Sequence, residues 1–367
     1  MTLTDLDTDA ATARTALARR LADAGDLTDP AWQAAFTDVP RHLFVPYFYD
    51  NDGARIAGDD PDARQRWFTA VHDDRPLVTH RTSGAATSSS SQPSVMATML
   101  EALDVRDGMT VLEIGAGTGY NAALLAHRLG DDHVVTIDVA DDITGPATEH
   151  LAAAGYHPLV LTGDGAAGWP DRAPYDRIMA TCRLDRIPPA LIAQLADEGV
   201  ILAPLGNALA RIHRTGPDTA EGRFLPGGVF FMALRQDSQD GVPLRRPDLP
   251  TGPGRPSTLP ITAVSDNAFR FLVSIVEPGL TWQYNMGEDK QITGATLWAA
   301  DGSLAALRPD GTVAETGPRP IWAALEDAHR TYTGADSPGP ARYGVTIDKT
   351  GQRVWLDSPE GPTWTLA

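Results

Sequence analysis

The chain has 367 residues, enough for two domains, and its 48 Asp and Glu residues outnumber 30 Lys and Arg residues, giving a net charge of −18. This acidity argues against a nucleic-acid partner, which normally requires a basic face. No apolar run is long enough to span a membrane, and residues 1–7 carry no secretory signal. Cys182 is the only cysteine, which excludes a disulfide within the chain and a Cys-cluster metal site. The histidines show no metal-ligand spacing either, so we expect a soluble, cytoplasmic protein without a metal.

The N-terminal region combines one helical pattern with polar segments. Residues 8–24 carry Ala and Leu at helical spacing and predict an amphipathic helix that caps the main domain. Residues 82–91 contain only Gly, Ala, Ser and Thr, a composition typical of a flexible loop. Gln92 and Pro93 then open a predicted helix over 94–103, because proline is favoured in the first helical turn.

The most informative segment is 111–120, VLEIGAGTGY, which a helix-like run follows. It predicts a strand, a turn containing Gly115, Gly117 and Gly119, and a helix N-terminus, where the backbone can approach a nucleotide-like ligand closely. The spacing differs from the dinucleotide fingerprint G-x-G-x-x-G. Glu113 would repel a pyrophosphate and suits a cationic ligand better. Taken alone, the turn is also compatible with a plain connection between a strand and a helix.

Two further strands are predicted to end in acidic residues. Residues 133–138 form an apolar strand that ends at Asp138, about 20 residues beyond the glycines, where a carboxylate can accept ribose hydroxyls. An acid at a strand end is common, so Asp138 alone decides little. Residues 158–162 form a third strand, followed by Gly163-Asp-Gly165. In this fold class the acid of that turn, Asp164, typically lies beside the adenine.

The remaining elements of the first domain complete an α/β pattern. Strands are predicted at 175–181 and 199–204 with a helix at 188–196 between them, and a last strand at 228–235. Strands that alternate with helices indicate a parallel, Rossmann-like sheet. A ligand would then bind at the carboxyl ends of the strands, where the three motifs converge.

The composition changes after residue 235. Residues 236–260 contain six prolines and predict a linker. Residues 261–367 combine strand-like pieces with a helix over 321–332 and predict a smaller α+β domain. We therefore expect a catalytic domain over 1–235, with its N-terminal helical cap, and an accessory domain for a peptide substrate over 261–367.

The glycine motif E-x-G-x-G-x-G resembles motif I of class I methyltransferases that use S-adenosylmethionine. The whole segment 36–235 resembles protein-L-isoaspartate O-methyltransferase. The matching motifs, in family order, are VPRHLFVP (39–46), SQP (91–93) followed by Met99, GDGAAGWP (163–170), APYDRI (173–178), IPPALIAQL (187–195) and PLG (204–206).

This resemblance implies S-adenosylmethionine as the cofactor and assigns residues to it. The cofactor-binding residues are predicted to be Glu113, Gly115, Gly117, Gly119, Tyr120, Asp138, Asp164 and Gly165. By position, Ser91 corresponds to the family serine that hydrogen-bonds the carboxylate of the acceptor and is the predicted catalytic residue.

Other polar residues could assist at the acceptor side. Thr87 and Ser90 would orient the acceptor carboxylate, and Arg41, His42 and the segment 75–81 would balance its charge. The motif around Arg41 and His42 reads equally well as a structural turn. A carboxylate is already ionised at pH 7, so methyl transfer to it requires no strong general base.

Two departures from the family bear on the substrate. Ser94 stands where the family usually has an aromatic residue or His, and the family usually ends near residue 235. The extra segment resembles a domain on methyltransferases that modify ribosomally made peptides of the graspetide and lanthipeptide types. The resemblance predicts methylation of an aspartate in a macrocyclic precursor peptide, leading to an aspartimide or to isoaspartate. The alternatives are a housekeeping isoaspartyl repair enzyme and a non-catalytic peptide-binding scaffold.

Overall fold

Parallel strands form the centre of the protein, as the alternation of predicted strands and helices indicates. The structure, a computed structural model, describes residues 3–235, 247–250 and 252–366. Its largest sheet has ten strands, and a five-stranded and a four-stranded sheet accompany it. None of the helices in these ranges is both long and apolar enough to cross a membrane.

The N-terminal part packs five helices beside the four-stranded sheet. Asp29 caps the second helix, since its side chain accepts a hydrogen bond of 2.8 Å from the Ala31 N–H, and Pro30 presets the first turn. The elements are α1 (Leu3–Ala24), α2 (Pro30–Asp38), α3 (Arg41–Phe44), β1 (Tyr47–Tyr49), β2 (Arg55–Ala57), α4 (Arg64–Val71), β3 (Leu77–Thr82), β4 (Ala85–Ser90) and α5 (Pro93–Leu103).

The serine-rich segment is mostly a strand, so the predicted flexible loop over 82–91 is wrong. Strands β3 and β4 pair in an antiparallel hairpin. Gly84 has a φ of +84°, which permits the tight turn between them. Thr87 and Ser90 are buried, whereas Ala86 is exposed. The backbone pairing with β3 therefore outweighs the local composition, because strand formation depends strongly on tertiary context.

The central part contains the predicted parallel strands. Leu112 pairs with Val135 on one side and with Ile178 on the other, so β5 lies in the middle of the parallel region. The elements are β5 (Val111–Ile114), α6 (Tyr120–Leu129), β6 (Val134–Asp138), α7 (Asp141–Ala153), β7 (Leu159–Thr162), β8 (Tyr175–Ala180), α8 (Pro189–Ala193), β9 (Leu195–Leu205), β10 (Ala208–Gly216) and β11 (Thr219–Phe224).

The C-terminal segment contributes to two sheets. Its first five strands form an antiparallel sheet, and its last three continue the central one, where the order is β19-β18-β17-β11-β10-β9-β8-β5-β6-β7. The elements are β12 (Arg255–Pro256), α9 (Asn267–Val276), β13 (Thr281–Met286), β14 (Ile292–Trp298), β15 (Leu304–Leu307), β16 (Thr312–Thr316), α10 (Ile321–Gly334), β17 (Tyr343–Asp348), β18 (Gly351–Leu356) and β19 (Thr363–Leu366).

A shared core joins the C-terminal segment to the central sheet. The ring of Phe271, on α9, lies 4.8 Å from that of Phe224 at the end of β11 and 5.1 Å from that of Tyr343 on β17, measured between ring centres. All three side chains are buried. The division at residues 235 and 261 stays a prediction, and the structure adds that apolar packing is continuous across it.

Segment 228–235 does not form the predicted strand. It runs extended, with one isolated bridge between Ala233 and Arg183. The Arg183 N–H donates to the Met232 carbonyl at 2.7 Å, and the Leu234 N–H donates to the Arg183 carbonyl at 2.8 Å. All of its residues contribute to the wall of the cavity described below, while Val229, Phe231 and Leu234 also pack against the core. Of the predicted linker, residues 236–246 and 251 lie outside the described residues.

Candidate active site

A cavity of about 620 Å³ opens at the carboxyl ends of β5, β6 and β8. Much of its wall comes from residues 87–92 along and beyond β4, the glycine turn 113–118, the end of β6, and the segment 228–235, and other parts of the chain complete it. This is the location at which ligands bind in open α/β sheets. Residues separated by more than a hundred positions therefore meet at one site.

The glycine turn fits closely against its surroundings. Gly115 has a φ of +104°, and a Cβ there would lie 2.6 Å from Thr181 Oγ1. Gly117 has a φ of +52° and donates its N–H to Asp138 Oδ2 at 3.0 Å. Gly119 faces the other way, since a Cβ there would lie 3.1 Å from the Ala147 carbonyl oxygen of α7. Gly115 and Gly117 line the cavity, whereas Gly119 allows α6 and α7 to pack.

Asp138 is held rigidly in the cavity wall. Its Oδ1 accepts a hydrogen bond of 2.8 Å from the Val139 N–H, while Oδ2 faces Gly117. Burial raises the pKa of this carboxyl group. The Arg235 guanidinium lies 3.9 Å from Oδ1. The arrangement fixes the orientation of an acceptor group at the strand end where the sequence predicts a ribose contact.

Glu113 lies behind the glycine turn and is completely buried. Its two carboxyl oxygens accept hydrogen bonds of 2.7 Å from Asn121 Nδ2 and from Thr136 Oγ1. Loss of hydration on burial raises the pKa of Glu113 from 4.5 to about 7. A carboxyl group kept where ionisation is unfavourable is typical of a functional site.

Glu113→Gln is expected to stabilise the ligand-free protein above neutral pH. Because the folded pKa of about 7 exceeds the ordinary value of 4.5, the stability from protonation is complete below pH 4.5 and is lost as the pH rises through 7. Glutamine has nearly the same volume and no charge. At pH 8 its free energy of unfolding should exceed that of the wild type by roughly 3 kcal/mol, with little difference at pH 4.5. Urea titrations at each pH measure this.

Glu149→Gln provides the matched control, since Glu149 is an exposed residue of α7. We expect its stability to follow the wild-type pH profile. A stability difference for Glu113→Gln that is the same at every pH would show that ionisation of Glu113 does not oppose folding.

Hydroxyl groups from β4 form the wall opposite the glycine turn. A Cβ on Gly117 would lie 3.5 Å from the Ser89 carbonyl oxygen, so any side chain at position 117 would meet β4. Thr87, Ser90 and Ser91 line the cavity. The residues predicted for the acceptor side therefore lie across the cavity from the predicted cofactor turn.

A histidine connects the hairpin to α7. His80 Nδ1 lies 2.7 Å from Thr87 Oγ1, and His80 Nε2 lies 3.3 Å from Asp142 Oδ2. The contact spans from the hairpin to the first turn of α7, next to the strand end that carries Asp138. It fixes the hairpin over the cavity and orients the Thr87 hydroxyl.

Comparison with known proteins identifies the family. The family model for protein-L-isoaspartate(D-aspartate) O-methyltransferase matches residues 62–234. The chain is 33% identical over 223 residues to protein-L-isoaspartate O-methyltransferase 1 of Archaeoglobus fulgidus, covering 60% of this chain and 92% of that protein. It belongs to the protein-L-isoaspartate O-methyltransferase family. A relative in Methylorubrum extorquens is 36% identical over 230 residues, covering 62% of this chain and 90% of the relative.

A solved structure of a protein-L-isoaspartate O-methyltransferase has a similar fold. A protein-L-isoaspartate O-methyltransferase structure aligns with a TM-score of 0.55 at 21% sequence identity, covering 94% of this chain and 100% of that one. The predicted class I methyltransferase fold, with further strands at the C-terminus, is confirmed. Because the alignment covers 94% of this chain, it also includes most of the C-terminal segment.

The chain is therefore a carboxyl O-methyltransferase, and S-adenosylmethionine is its cofactor. When bound, S-adenosylmethionine supplies a methyl group from a cationic sulfonium. The residues present suit such a group, because the glycine turn leaves backbone accessible and the buried carboxyl groups of Glu113 and Asp138 lie beside it. Within the described part of the chain, no group of His, Cys, Asp and Glu side chains could hold a metal ion.

The other predicted cofactor residues divide into two groups. Tyr120 and Gly165 line the cavity. Burial raises the pKa of Tyr120 to about 12, so its hydroxyl stays protonated, and a Cβ on Gly165 would lie 2.5 Å from Ile114 Cγ2. Asp164 is exposed outside the cavity wall, and its Oδ1 accepts a hydrogen bond of 2.8 Å from the Ala166 N–H. The structure thus gives Asp164 a turn-forming role and no cavity contact.

Arg41 also lies outside the cavity wall, against the prediction of direct substrate binding. It is only 1% exposed, and it donates to the carbonyl oxygens of Val71 at 2.8 Å and of Ser91 at 3.2 Å. Its Nη2 also lies 3.3 Å from Ser90 Oγ. Burial lowers the pKa of Arg41 to about 10. These contacts make Arg41 a residue that positions Ser90 and Ser91 from behind.

His42 points away from the cavity altogether. Its Nε2 lies 3.6 Å from Asp7 Oδ1, and burial lowers its pKa. The prediction that His42 balances the substrate charge is therefore not supported, and the structural turn is the better interpretation. Arg75, from the segment 75–81, does line the cavity and is exposed. It brings a positive charge to the acceptor side.

Several wall residues escape prediction from the sequence. Thr181 follows β8, Phe230 lies in the segment assigned to a strand, and Arg235 lies at its end. Tyr49 comes from the N-terminal sheet. None belongs to a glycine or serine motif, so no local signal marks them. Only the crossing of distant segments brings them to the cavity.

Proposed function

We propose that this methyltransferase transfers a methyl group to the free carboxylate of L-isoaspartyl residues in peptides or proteins. The observation that carries this proposal is that the glycine turn and β4 face each other across one cavity. A Cβ placed on Gly117 would lie 3.5 Å from the Ser89 carbonyl oxygen. A methyl donor held at the turn would therefore face a carboxylate held by the β4 hydroxyls.

The residues of the chain act by alignment and exclusion of water. The acceptor carboxylate is ionised at pH 7 and can attack without losing a proton. Ser91 and Ser90 donate hydrogen bonds that orient it, and Arg75 offsets its charge. Arg41 keeps Ser90 and Ser91 in place. Correct placement of two reactants accounts for much of the rate enhancement in such transfers.

Methylation of a normal aspartate in a macrocyclic peptide, leading to an aspartimide, is the second candidate. Ser94 and the segment 261–367 favour it. However, Ser94 Oγ accepts a hydrogen bond of 3.0 Å from Gln92 Nε2, and its N–H donates to Asp74 Oδ1 at 2.8 Å. Ser94 is thus occupied at the start of α5 instead of reshaping the cavity wall. The argument from the segment 261–367 is weakened as well, because the aligned protein-L-isoaspartate O-methyltransferase structure covers 94% of this chain.

A set of matched peptides tests the two candidates. The purified full-length chain is incubated with S-adenosylmethionine and one peptide sequence in three forms: linear with isoaspartate, linear with aspartate, and cyclised with aspartate. We expect mass spectrometry to show addition of one methyl group to the isoaspartyl peptide, with the linear aspartyl peptide as the unreactive control.

Three outcomes separate the hypotheses. Methylation of the cyclised peptide alone, followed by loss of methanol, would replace isoaspartyl methylation with the second candidate. Binding of S-adenosylmethionine without methylation of any peptide or of an aged protein mixture would indicate a scaffold. Reaction of the isoaspartyl peptide supports the proposed function.

A further inference from the structure

A positively charged side chain lies among aromatic rings at the edge of the cavity. The guanidinium carbon of Arg270, on α9, lies 4.7 Å from the ring centre of Phe230. The ring centres of Trp282 and Tyr284, on β13, follow at 5.4 and 5.9 Å. We refer to Phe230, Arg270, Trp282 and Tyr284 as the arginine platform. It joins a residue of the cavity wall to three residues of the C-terminal segment.

Hydrogen bonds hold the platform in place. The Val229 N–H, next to Phe230, donates to the Asn207 carbonyl at 2.9 Å. The Asn207 N–H in turn donates at 3.0 Å to Ser274 Oγ, one helical turn from Arg270. The Tyr284 hydroxyl donates to the Val264 carbonyl at 2.8 Å. These bonds fix the backbone beside Phe230 and the hydroxyl of Tyr284 before any ligand binds, which reduces the entropic cost of binding.

The charge of Arg270 has no protein partner within residues 3–235, 247–250 and 252–366. No acceptor in these ranges lies within hydrogen-bond or ion-pair distance of its guanidinium, and Nε is buried without a partner. Arg319, in the same segment, by contrast forms ion pairs with Glu277 and Asp301. Aromatic rings can restrain a guanidinium through its faces while leaving its N–H groups available for a carboxylate.

We infer that the arginine platform binds an acidic side chain of the acceptor peptide, a few residues away from the residue that is methylated. The inference rests on the proposed function and extends it to substrate preference. Phe230 contacts both the cavity and Arg270, so a peptide whose acceptor lies in the cavity continues onto the platform. The 57% exposure of Phe230 leaves apolar surface for the intervening residues.

Electrostatics makes the platform selective for acidic peptides. The net charge of −18 repels an acidic substrate in general. Arg270 has no ion-pair partner among the described residues and lies beside Phe230 of the cavity wall, so it provides local attraction for an acidic peptide there. Arg is also the side chain best suited to bind a carboxylate through two parallel hydrogen bonds.

The test compares pairs of isoaspartyl peptides that differ only in one Glu or Gln placed two to four residues from the isoaspartate, on either side. For the wild-type chain we expect kcat/KM to favour the Glu peptide by about tenfold at one or more of these positions. Arg270→Gln should reduce this ratio to about one, and Arg270→Lys should retain part of it. Raising the salt concentration should lower the wild-type ratio.

Arg330→Gln serves as the control, because Arg330 is an exposed arginine of α10 paired with Asp327. It should keep the wild-type ratio. Equal rates with both peptides in the wild type at every position, or an unchanged ratio in a folded Arg270→Gln chain, would overturn the inference while leaving isoaspartyl methylation intact. A concentration-dependent dimer that Phe230→Ala dissociates, with no effect on the ratio, would also overturn it and assign this surface to self-association. Failure to methylate any peptide would instead refute the proposed function.

Discussion

Gly117→Val is expected to abolish measurable binding of S-adenosylmethionine. Gly117 has a φ of +52°, a backbone conformation that is strained for a β-branched residue. A Cβ there would lie 3.5 Å from the Ser89 carbonyl oxygen and 3.6 Å from Ser88 Oγ, so the two valine methyl groups would fill the space between the cavity walls. The Gly117 N–H that orients Asp138 would shift as well.

Isothermal titration calorimetry measures the effect, which we expect to be a loss of affinity of about 100-fold or more. Gly155→Val is the matched control. Gly155 has a φ of +83° but nothing within 4 Å of a Cβ, so it shares the backbone strain without the steric block. Normal affinity in a folded Gly117→Val chain would mean that the cofactor does not bind at the glycine turn.

Ser91→Ala is expected to lower kcat/KM by about 10 to 150-fold, because it removes one hydrogen bond to a charged acceptor worth roughly 1.5–3 kcal/mol. Ser91 lines the cavity on the side opposite the cofactor turn, so the affinity for S-adenosylmethionine should stay close to that of the wild type. Initial rates with an isoaspartyl peptide, together with cofactor titrations, separate the two effects.

Substitution at neighbouring hydroxyls tests which residue holds the acceptor. Ser94→Ala should be nearly as active as the wild type, since the Ser94 hydroxyl faces Gln92. Full activity of Ser91→Ala together with strong loss in Ser90→Ala or Thr87→Ala would move the acceptor site along β4 and contradict the position assigned by the family motif.

The parallel core could be predicted from the sequence because its signals are local. Apolar runs such as 111–114 and 134–138 are followed directly by glycines or acids at the strand ends. The predictions for two segments are wrong, for opposite reasons. The hairpin strand β4 is polar in composition but gains its structure from pairing with β3. The segment 228–235 is apolar, yet it covers a cavity and pairs with Arg183 through one isolated bridge at Ala233.

The same contrast between local sequence signals and tertiary packing applies to the residues of the site. The place of Glu113, Gly117 and Asp138 in the cavity wall is predictable, because a turn and two strand ends fix them within short stretches of chain. Arg41 is predicted to balance the substrate charge, but it lies behind the cavity wall. The sequence motif does not reveal that its guanidinium faces carbonyl groups there. Arg75 belongs to the segment predicted to balance the acceptor charge and does line the cavity, whereas Phe230 and Arg235 reach the cavity through tertiary packing alone.

The pairing of β17 with β11 gives the C-terminal segment a second role, that of a cover for a sheet edge. Val345 lies opposite Gly222 in this ladder, and β18 and β19 continue it outward. A chain cut after residue 260 would leave β11 as an open edge strand with unpaired N–H and C=O groups, next to core side chains stripped of Phe271 and Tyr343. Such edges recruit strands from other molecules and promote aggregation. Loss of solubility would thus precede any loss of substrate recognition in a truncated chain, so point substitutions are the better means of examining this segment.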